Sequence, residues 1–402
     1  MQFEILWAIK RVQDDSGAVN CEKGVKNRVK NQQFKRLIPL CLIILLFISA
    51  GRPAAAAGGE QGTVSVKLGK ALEIGKDTFV FASIADVCED KDGNFYVVDR
   101  LERKIWKFSR TGEELLTFGQ AGRGPGDFSS PGRIAVADSG LLAVSEDMYD
   151  ISLHETGGDF VERIHLSGKL GPGYIGKDRF YAWTWKPDSQ EQVIINRQNQ
   201  VQTALYSVPM NAFSVSAPDE SGRAVMFNYG PDTYAPALTF DHSGPLSAAA
   251  VSSRYEITLL DEQGQTVKTL SHDIEPPALS KAEIEYFKQD IRKLAQRRGW
   301  PDGVVKDLQK LIPKHKMYFN RILLSGKHAF VFRIPDDITR PNTPVTADIF
   351  KTDGEFLGST QLPETPIHIS ADYMYFVRTS PDDNVYLVRR PYVLKMMNTQ
   401  PN

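Results

Sequence analysis

The chain is 402 residues long, 42% hydrophobic and 24% charged, with a formal net charge of -1. Those proportions belong to a folded globular chain with ample core material and exclude a disordered or collagen-like one. The near-neutral balance gives no electrostatic ground for a polyanion, so no nucleic-acid partner is expected.

Residues 1–57 read as a signal peptide with an upstream extension. Lys23, Lys26, Arg28, Lys30, Lys35 and Arg36 form a basic stretch, residues 37–50 are uncharged and apolar, and residues 54–57 are all alanine. Basic, apolar and small-residue segments in that order are the secretory pattern. The apolar run is shorter than the roughly 20 residues a spanning helix needs. Cleavage near Ala57 is expected, giving an exported protein, periplasmic or extracellular, with no stable membrane span. An uncut anchor is the alternative. Cys41 sits inside the apolar run rather than after a cleavage motif, so no lipid anchor is expected there. Beyond residue 57 remain 39 basic and 45 acidic side chains, net -6, and one cysteine, Cys88. A single cysteine forms no intrachain disulfide, and its place in an apolar strand pattern reads as a buried core thiol.

Internal repetition dominates the rest. Residues 84–87, 95–98, 105–108 and 115–118 are short apolar runs, with turns at Asp92-Gly93 and Thr111-Gly112. That is one blade of four antiparallel strands. The pattern recurs over 134–166, less clearly over 174–208, and again over 237–270, 320–362 and 367–389. Residues 209–235 lack a clean pattern and are expected to form an extended connection or excursion. Six blades of four strands define an all-β, six-bladed β-propeller over residues 58–402. The sixth blade lacks a fourth strand, and residues 63–72 form a strand with no blade of their own. An open ring leaves raw sheet edges, so the N-terminal strand is expected to complete the last blade.

One segment, about 280–312, breaks the β pattern between blades four and five. Ser280 with Glu283 is a capping box, Ile284, Phe287, Ile291 and Leu294 make an apolar stripe, and Gly299 and Pro301 end the helix. A second short helix follows over 304–312. Lys288, Arg292, Lys293, Arg297 and Arg298 form a charged outer side, read as solvated.

The crossing between blades one and two is the most distinctive stretch. Phe118-Gly119, Gly122, Gly124-Pro125-Gly126, Phe128, Pro131 and Ile134-Ala135-Val136, preceded by Tyr96-Val97-Val98-Asp99 with Ile105 and Phe108, resemble an NHL repeat. Good matches cover residues 84–145, and the remainder is similar to exported six-bladed propellers related to NHL and SMP-type proteins. The second blade departs at Ser145-Glu146-Asp147, where the pattern places Asp directly after the strand. The resemblance implies recognition of a protein, peptide or glycan. Related families include lactonases and peptide-amidating lyases, which build metal sites in the central channel, so a metal-dependent hydrolase or lyase is the alternative.

No cofactor or metal is specified by spacing. The glycines precede a strand, not a helix, and lack a Gly-Lys-Ser/Thr ending, so they shape a tight crossing rather than cradle phosphate. Histidines occur singly, without metal-ligand spacing, and there is no G-x-S-x-G elbow. Asp99 reads first as a turn-stabilising acceptor. Loops between strands two and three and between blades share one face, and they hold Asp99, Arg100, Arg103, Arg123, Asp127 and Arg133, with Glu146, Asp147 and Tyr149 in the second blade. Asp99, Arg103, Arg123, Arg133, Asp147 and Tyr149 are the candidate binding residues, a mixed-charge set suited to a polar partner.

Overall fold

A computed structural model describes residues 63–397, apart from 78–80, 138, 148, 167–168, 177, 199, 210–212, 219–221, 232 and 341–343. All of these belong to the compact unit Glu60–Asn402, and the expected signal segment lies outside the described residues.

The chain begins with β1 (Thr63–Leu68) and β2 (Leu72–Ile74) and then builds blade after blade. The first has β3 (Ile84–Glu89), β4 (Phe95–Asp99), β5 (Lys104–Phe108) and β6 (Glu114–Phe118). The second has β7 (Pro131–Val136), β8 (Leu141–Glu146), β9 (Asp150–Glu155) and β10 (Phe160–His165). The third has β11 (Lys169–Gly176), β12 (Arg179–Trp185), β13 (Ser189–Asn196) and β14 (Val201–Pro209). A hairpin follows, β15 (Ser214–Pro218) and β16 (Ala224–Asn228). The next blade comprises β17 (Leu238–Ser243), β18 (Leu246–Val251), β19 (Glu256–Leu260) and β20 (Thr266–Ser271). Helices α1 (Lys281–Arg298) and α2 (Asp302–Lys310) precede a blade of β21 (Phe319–Ser325), β22 (His328–Arg333), β23 (Val345–Lys351) and β24 (Phe356–Leu362). The last is β25 (His368–Ile369), β26 (Tyr373–Thr379) and β27 (Val385–Met397). Each sheet is antiparallel, and consecutive strands of a blade pair with one another.

The sixth sheet runs β25-β26-β27-β1, so the N-terminal strand supplies its outer edge, as the unmatched segment 63–72 implies. β27 is long enough to take β1 along residues 392–397 and β2 along 387–389. Val64 then lies buried between the fifth and sixth blades.

The ring coheres because a strand's side chains alternate between its two faces. In β4, Tyr96 and Val98 enter the seam with the second blade, while Phe95 and Val97 enter the seam with the sixth. In β22, Phe330 and Phe332 face the sixth blade, and Ala329 and Val331 face the fourth. In β13, Val193 and Ile195 face the second blade, and Ile194 faces the fourth. An unbroken apolar run thus feeds two cores at once, and six such cores close the circle. Each buried Phe, Leu or Val contributes about 1.5–3 kcal/mol.

Residues 209–235, expected as an extended connection or excursion, contain the hairpin β15–β16. Val215, Ala217 and Phe227 pack there on Ile291, Val304 and Leu308 of the helices. The capping box at Ser280 forms as read, and Gly299 closes α1 in the left-handed region at φ 66°. Glu283 has a second role. Its carboxylate takes the Lys316 ammonium at 2.6 Å, and Lys316 also donates to the carbonyls of Pro335 and Asp336. Both side chains are buried. Burial pushes the Glu283 carboxyl up, but Lys316 and the backbone N–H groups of Ser280 and Ile338 outweigh it and hold it below its usual value.

Candidate binding channel

The innermost strand of each blade borders the central channel, and local irregularity decides which side chain points into it. β3, β7, β11 and β21 each carry a register shift, at Ile84/Asp86, Pro131/Ile134, Leu170/Gly173 and Phe319/Arg321. Such bulges re-aim side chains. In β3, β7 and β21 the residue at the shift is charged: Asp86, Arg133 and Arg321. β17 adds Asp241, β12 adds Tyr181 and β25 adds His368.

These groups are tied to neighbouring backbone. Asp86 accepts from the Ile134 N–H at 3.1 Å, and Asp241 accepts from the Leu324 N–H at 2.6 Å. Arg133 donates to the Phe240 carbonyl at 2.9 Å, and Arg321 donates to that of Ile367 at 2.7 Å. Each bond spans different blades. Arg133 keeps exposed surface toward the channel although protein surrounds it on every side.

The channel holds an open-mouthed chamber of about 300 Å³ lined by Asp86, Arg133, Tyr181, Asp241, His242 and His368, among others. Tyr181 stacks on Phe240 with ring centroids 3.6 Å apart. Ile134, Val136, Ala143 and Ile151 supply apolar wall. The mouth carries Lys91, Ser243, Gly244, Gly326 and Asp372, at the turns joining first and second strands, and Arg110, at the turn joining the third and fourth strands of the first blade. In an antiparallel blade that is the face opposite the β4–β5 and blade-to-blade loops.

Burial sets the protonation of the chamber. It pushes the Asp86 carboxyl up, opposed by Arg133, the Ile134 N–H and Arg321. It pushes Asp241 up to about 7 against the Leu324 N–H, Arg133 and Arg321. His242 and His368 fall to about 4 and about 3 for the same reason, so both are neutral at pH 7.

The six residues expected as a binding set are not gathered in one place. Arg133, read as a loop residue, lies in β7 and faces the channel, because the Pro131/Ile134 shift turns it inward. Asp99 is fully buried and accepts the N–H groups of Ala82, Ser83 and Glu102 at 2.7, 3.0 and 3.2 Å. Asp147 has φ 46° and accepts from the Ser129 hydroxyl at 2.7 Å. Tyr149 is half-buried, and its carbonyl accepts from Leu166. Arg103, at φ 56°, and Arg123 are exposed on the loop face.

The Gly-rich crossing is fastened as read. A Cβ on Gly119 would lie 2.3 Å from the Phe128 ring, and one on Gly122 would lie 2.2 Å from the Asp127 carboxylate. Glu146 stands where Asp99 stands in the first blade, accepts the Ser129 N–H at 3.0 Å, and pairs with Arg163. Arg163 in turn donates to the carbonyls of Arg123 and Asp127. The departure from the repeat pattern at residues 145–147 therefore leaves the turn-stabilising role intact.

Asp86, Tyr181, Asp241, Arg321 and His368 escape motif reading because each comes from a different blade. The signal available is one ionisable residue beside the apolar residues of a first strand, as in Ala85-Asp86-Val87 or Ile367-His368-Ile369. Among the described residues, no three His, Cys, Asp or Glu side chains gather to hold a metal ion.

Fold and channel together define a six-bladed β-propeller with a charged central chamber. No protein-family model and no curated protein matches the chain. Among solved structures it is similar to a Bacteroides fragilis protein classed provisionally as exported, at 11% identity and TM-score 0.49, covering 83% of this chain and 96% of that one. It is also similar to a DUF4221-family member from Bacteroides vulgatus, at 12% identity and TM-score 0.48, covering 84% and 100%. Virginiamycin B lyase from Staphylococcus aureus follows at 7% identity and TM-score 0.37, covering 82% and 100%. Among the described residues no helix is long and apolar enough to cross a membrane.

Proposed function

We propose that this protein is an exported, NHL-like β-propeller that acts as a binding module, recognising a polar protein, peptide or glycan segment at its central channel. The observation that carries the reading is the chamber itself. Two carboxylates and a guanidinium from separate blades line a concave space of about 300 Å³, and no metal-ligating group of three accompanies them among the described residues. Concave, largely preformed sites with a few convergent polar groups are where ligands bind. Export rests on the basic, apolar and small-residue order of residues 1–57. The test is to probe peptide and glycan arrays with the labelled wild-type protein and with Arg133→Gln. Spots bound by wild type and lost in the variant, with an unchanged melting temperature, are the expected result. Identical array profiles for both would remove the channel as the recognition site.

A further inference from the structure

The blades place charge around the channel in a repeating order. Asp86 comes from the first blade, Arg133 from the second, Tyr181 from the third, Asp241 from the fourth, Arg321 from the fifth and His368 from the sixth. Acid, base and ring occur twice around the circle. Arg133 and Arg321 both favour the charged form of Asp86 and of Asp241. Above the Asp241 value of about 7, two negative and two positive charges therefore cancel, and both histidines are neutral. The carboxylates nearer the mouth are engaged elsewhere. Asp90 accepts the N–H groups of its own turn, Glu89 takes the Tyr375 hydroxyl beside Arg389, and Asp372 pairs with Arg110. A ligand charge of either sign would find no excess opposite charge to compensate its burial.

Cancelled charge is not exhausted hydrogen bonding. Asp86, Asp241, Arg133 and Arg321 are each tied to backbone rather than fork to fork with one another. Each carboxylate accepts from that backbone through one oxygen, Oδ2, and each guanidinium donates to it through one nitrogen. A carboxylate has about four acceptor sites and a guanidinium five donors, so each head can bind more. Gly173 leaves room for the Tyr181 ring, since a Cβ there would lie 1.8 Å from it. Tyr181 and the neutral His368 add groups that both donate and accept. The matching ligand is uncharged and can show two donors to a carboxylate or two acceptors to a guanidinium. Neighbouring hydroxyls of a sugar ring do either. A residue of an extended peptide shows one N–H and one C=O to the same side, never two alike. Ile134, Val136, Ala143 and Ile151 give the C–H faces of a ring an apolar wall.

We infer that the chamber takes the uncharged end of a glycan, its hydroxyls donating to Asp86 and Asp241 and accepting from Arg133. A space of about 300 Å³ is at the small end of ligand sites, which suits the tip of a glycan. This rests on reading the channel as the binding site, and it names what that site takes.

Arrays carrying peptides and neutral, uronate-containing and amine-bearing glycans, probed at pH 8 with the full chain, Arg133→Gln and Asp241→Asn, test it. The spots that lose about tenfold or more of their signal in a variant should all be neutral glycans. Raising sodium chloride tenfold should change their wild-type signal less than about twofold, because no ligand charge is there to screen. The two variants are independent, so a folding defect in one leaves the other informative. Variant-sensitive spots that are peptides or charged glycans overturn the assignment and leave the channel as the binding site. No variant-sensitive spot at all removes both.

Discussion

Two charged regions of this propeller use their charges in opposite ways. Around the Gly-rich crossing, Glu146, Arg163 and Asp127 spend their hydrogen bonds on one another and on backbone N–H and carbonyl groups. In the channel, Asp86 and Asp241 each accept from the backbone of the next blade, Arg133 donates across to the Phe240 carbonyl in the fourth blade, and all three head groups line the chamber. The lesson is that mixed charge on a loop face does not itself mark a site. What marks one is hydrogen-bonding capacity left over after the backbone is satisfied.

The contrast predicts a graded set of outcomes. Glu146→Ala strips the buried partner from Arg163 and loosens the crossing, so unfolding in urea should show a loss of about 3 kcal/mol. Asp99→Ala leaves three backbone N–H groups without their acceptor, and the same measurement should show about 2 kcal/mol.

A pH experiment separates the channel from the crossing. His368 titrates at about 3 in the folded chain against its ordinary 6.5, so below pH 6.5 the unfolded chain takes up a proton that the folded chain refuses. Its contribution is therefore fully present above pH 6.5 and is lost as pH falls toward 3. Between pH 7.5 and 5.5 that amounts to about 1 kcal/mol. His368→Gln should flatten the acid limb of the stability profile by that amount, and an unchanged limb would place the histidine in water.

The smallest effect is expected on the exposed loop face. Arg103→Ala combined with Arg123→Ala should change unfolding free energy by less than about 0.5 kcal/mol, since neither head group lies in a buried network. Lost array binding by that double variant would show that the loop face, and not the channel alone, carries recognition.

Much of the fold could be read from residues alone. Glycine turns spaced along apolar runs mark the blades, and the unmatched strand at residues 63–72 names its own partner, because a sixth blade without an outer strand leaves an edge. Ser280 and Glu283 announce the helix start. The hairpin at Ser214–Pro218 and Ala224–Asn228 was not legible, because its support comes from Ile291, Val304 and Leu308, more than sixty residues later. The Lys316 partner of Glu283 was hidden for the same reason. The channel set was the least legible. A bulge turns Arg133 inward, and a one-residue shift of register sends a side chain to the other face. Composition records nothing of that shift, so Arg133 reads as one loop residue among several.

If the channel charges serve a ligand rather than the fold, a charge can be removed there without weakening the ring. Asp241→Asn is the sharpest probe, because the amide keeps the size of the side chain and an oxygen for the Leu324 N–H while removing the charge. Unfolding free energy and array binding should be measured on the same preparation at pH 7.5. The expected result is stability unchanged or raised, with the spots bound by wild type lost. A fall in stability of about 2 kcal/mol or more, with array binding unchanged, would show that the charge braces the ring instead.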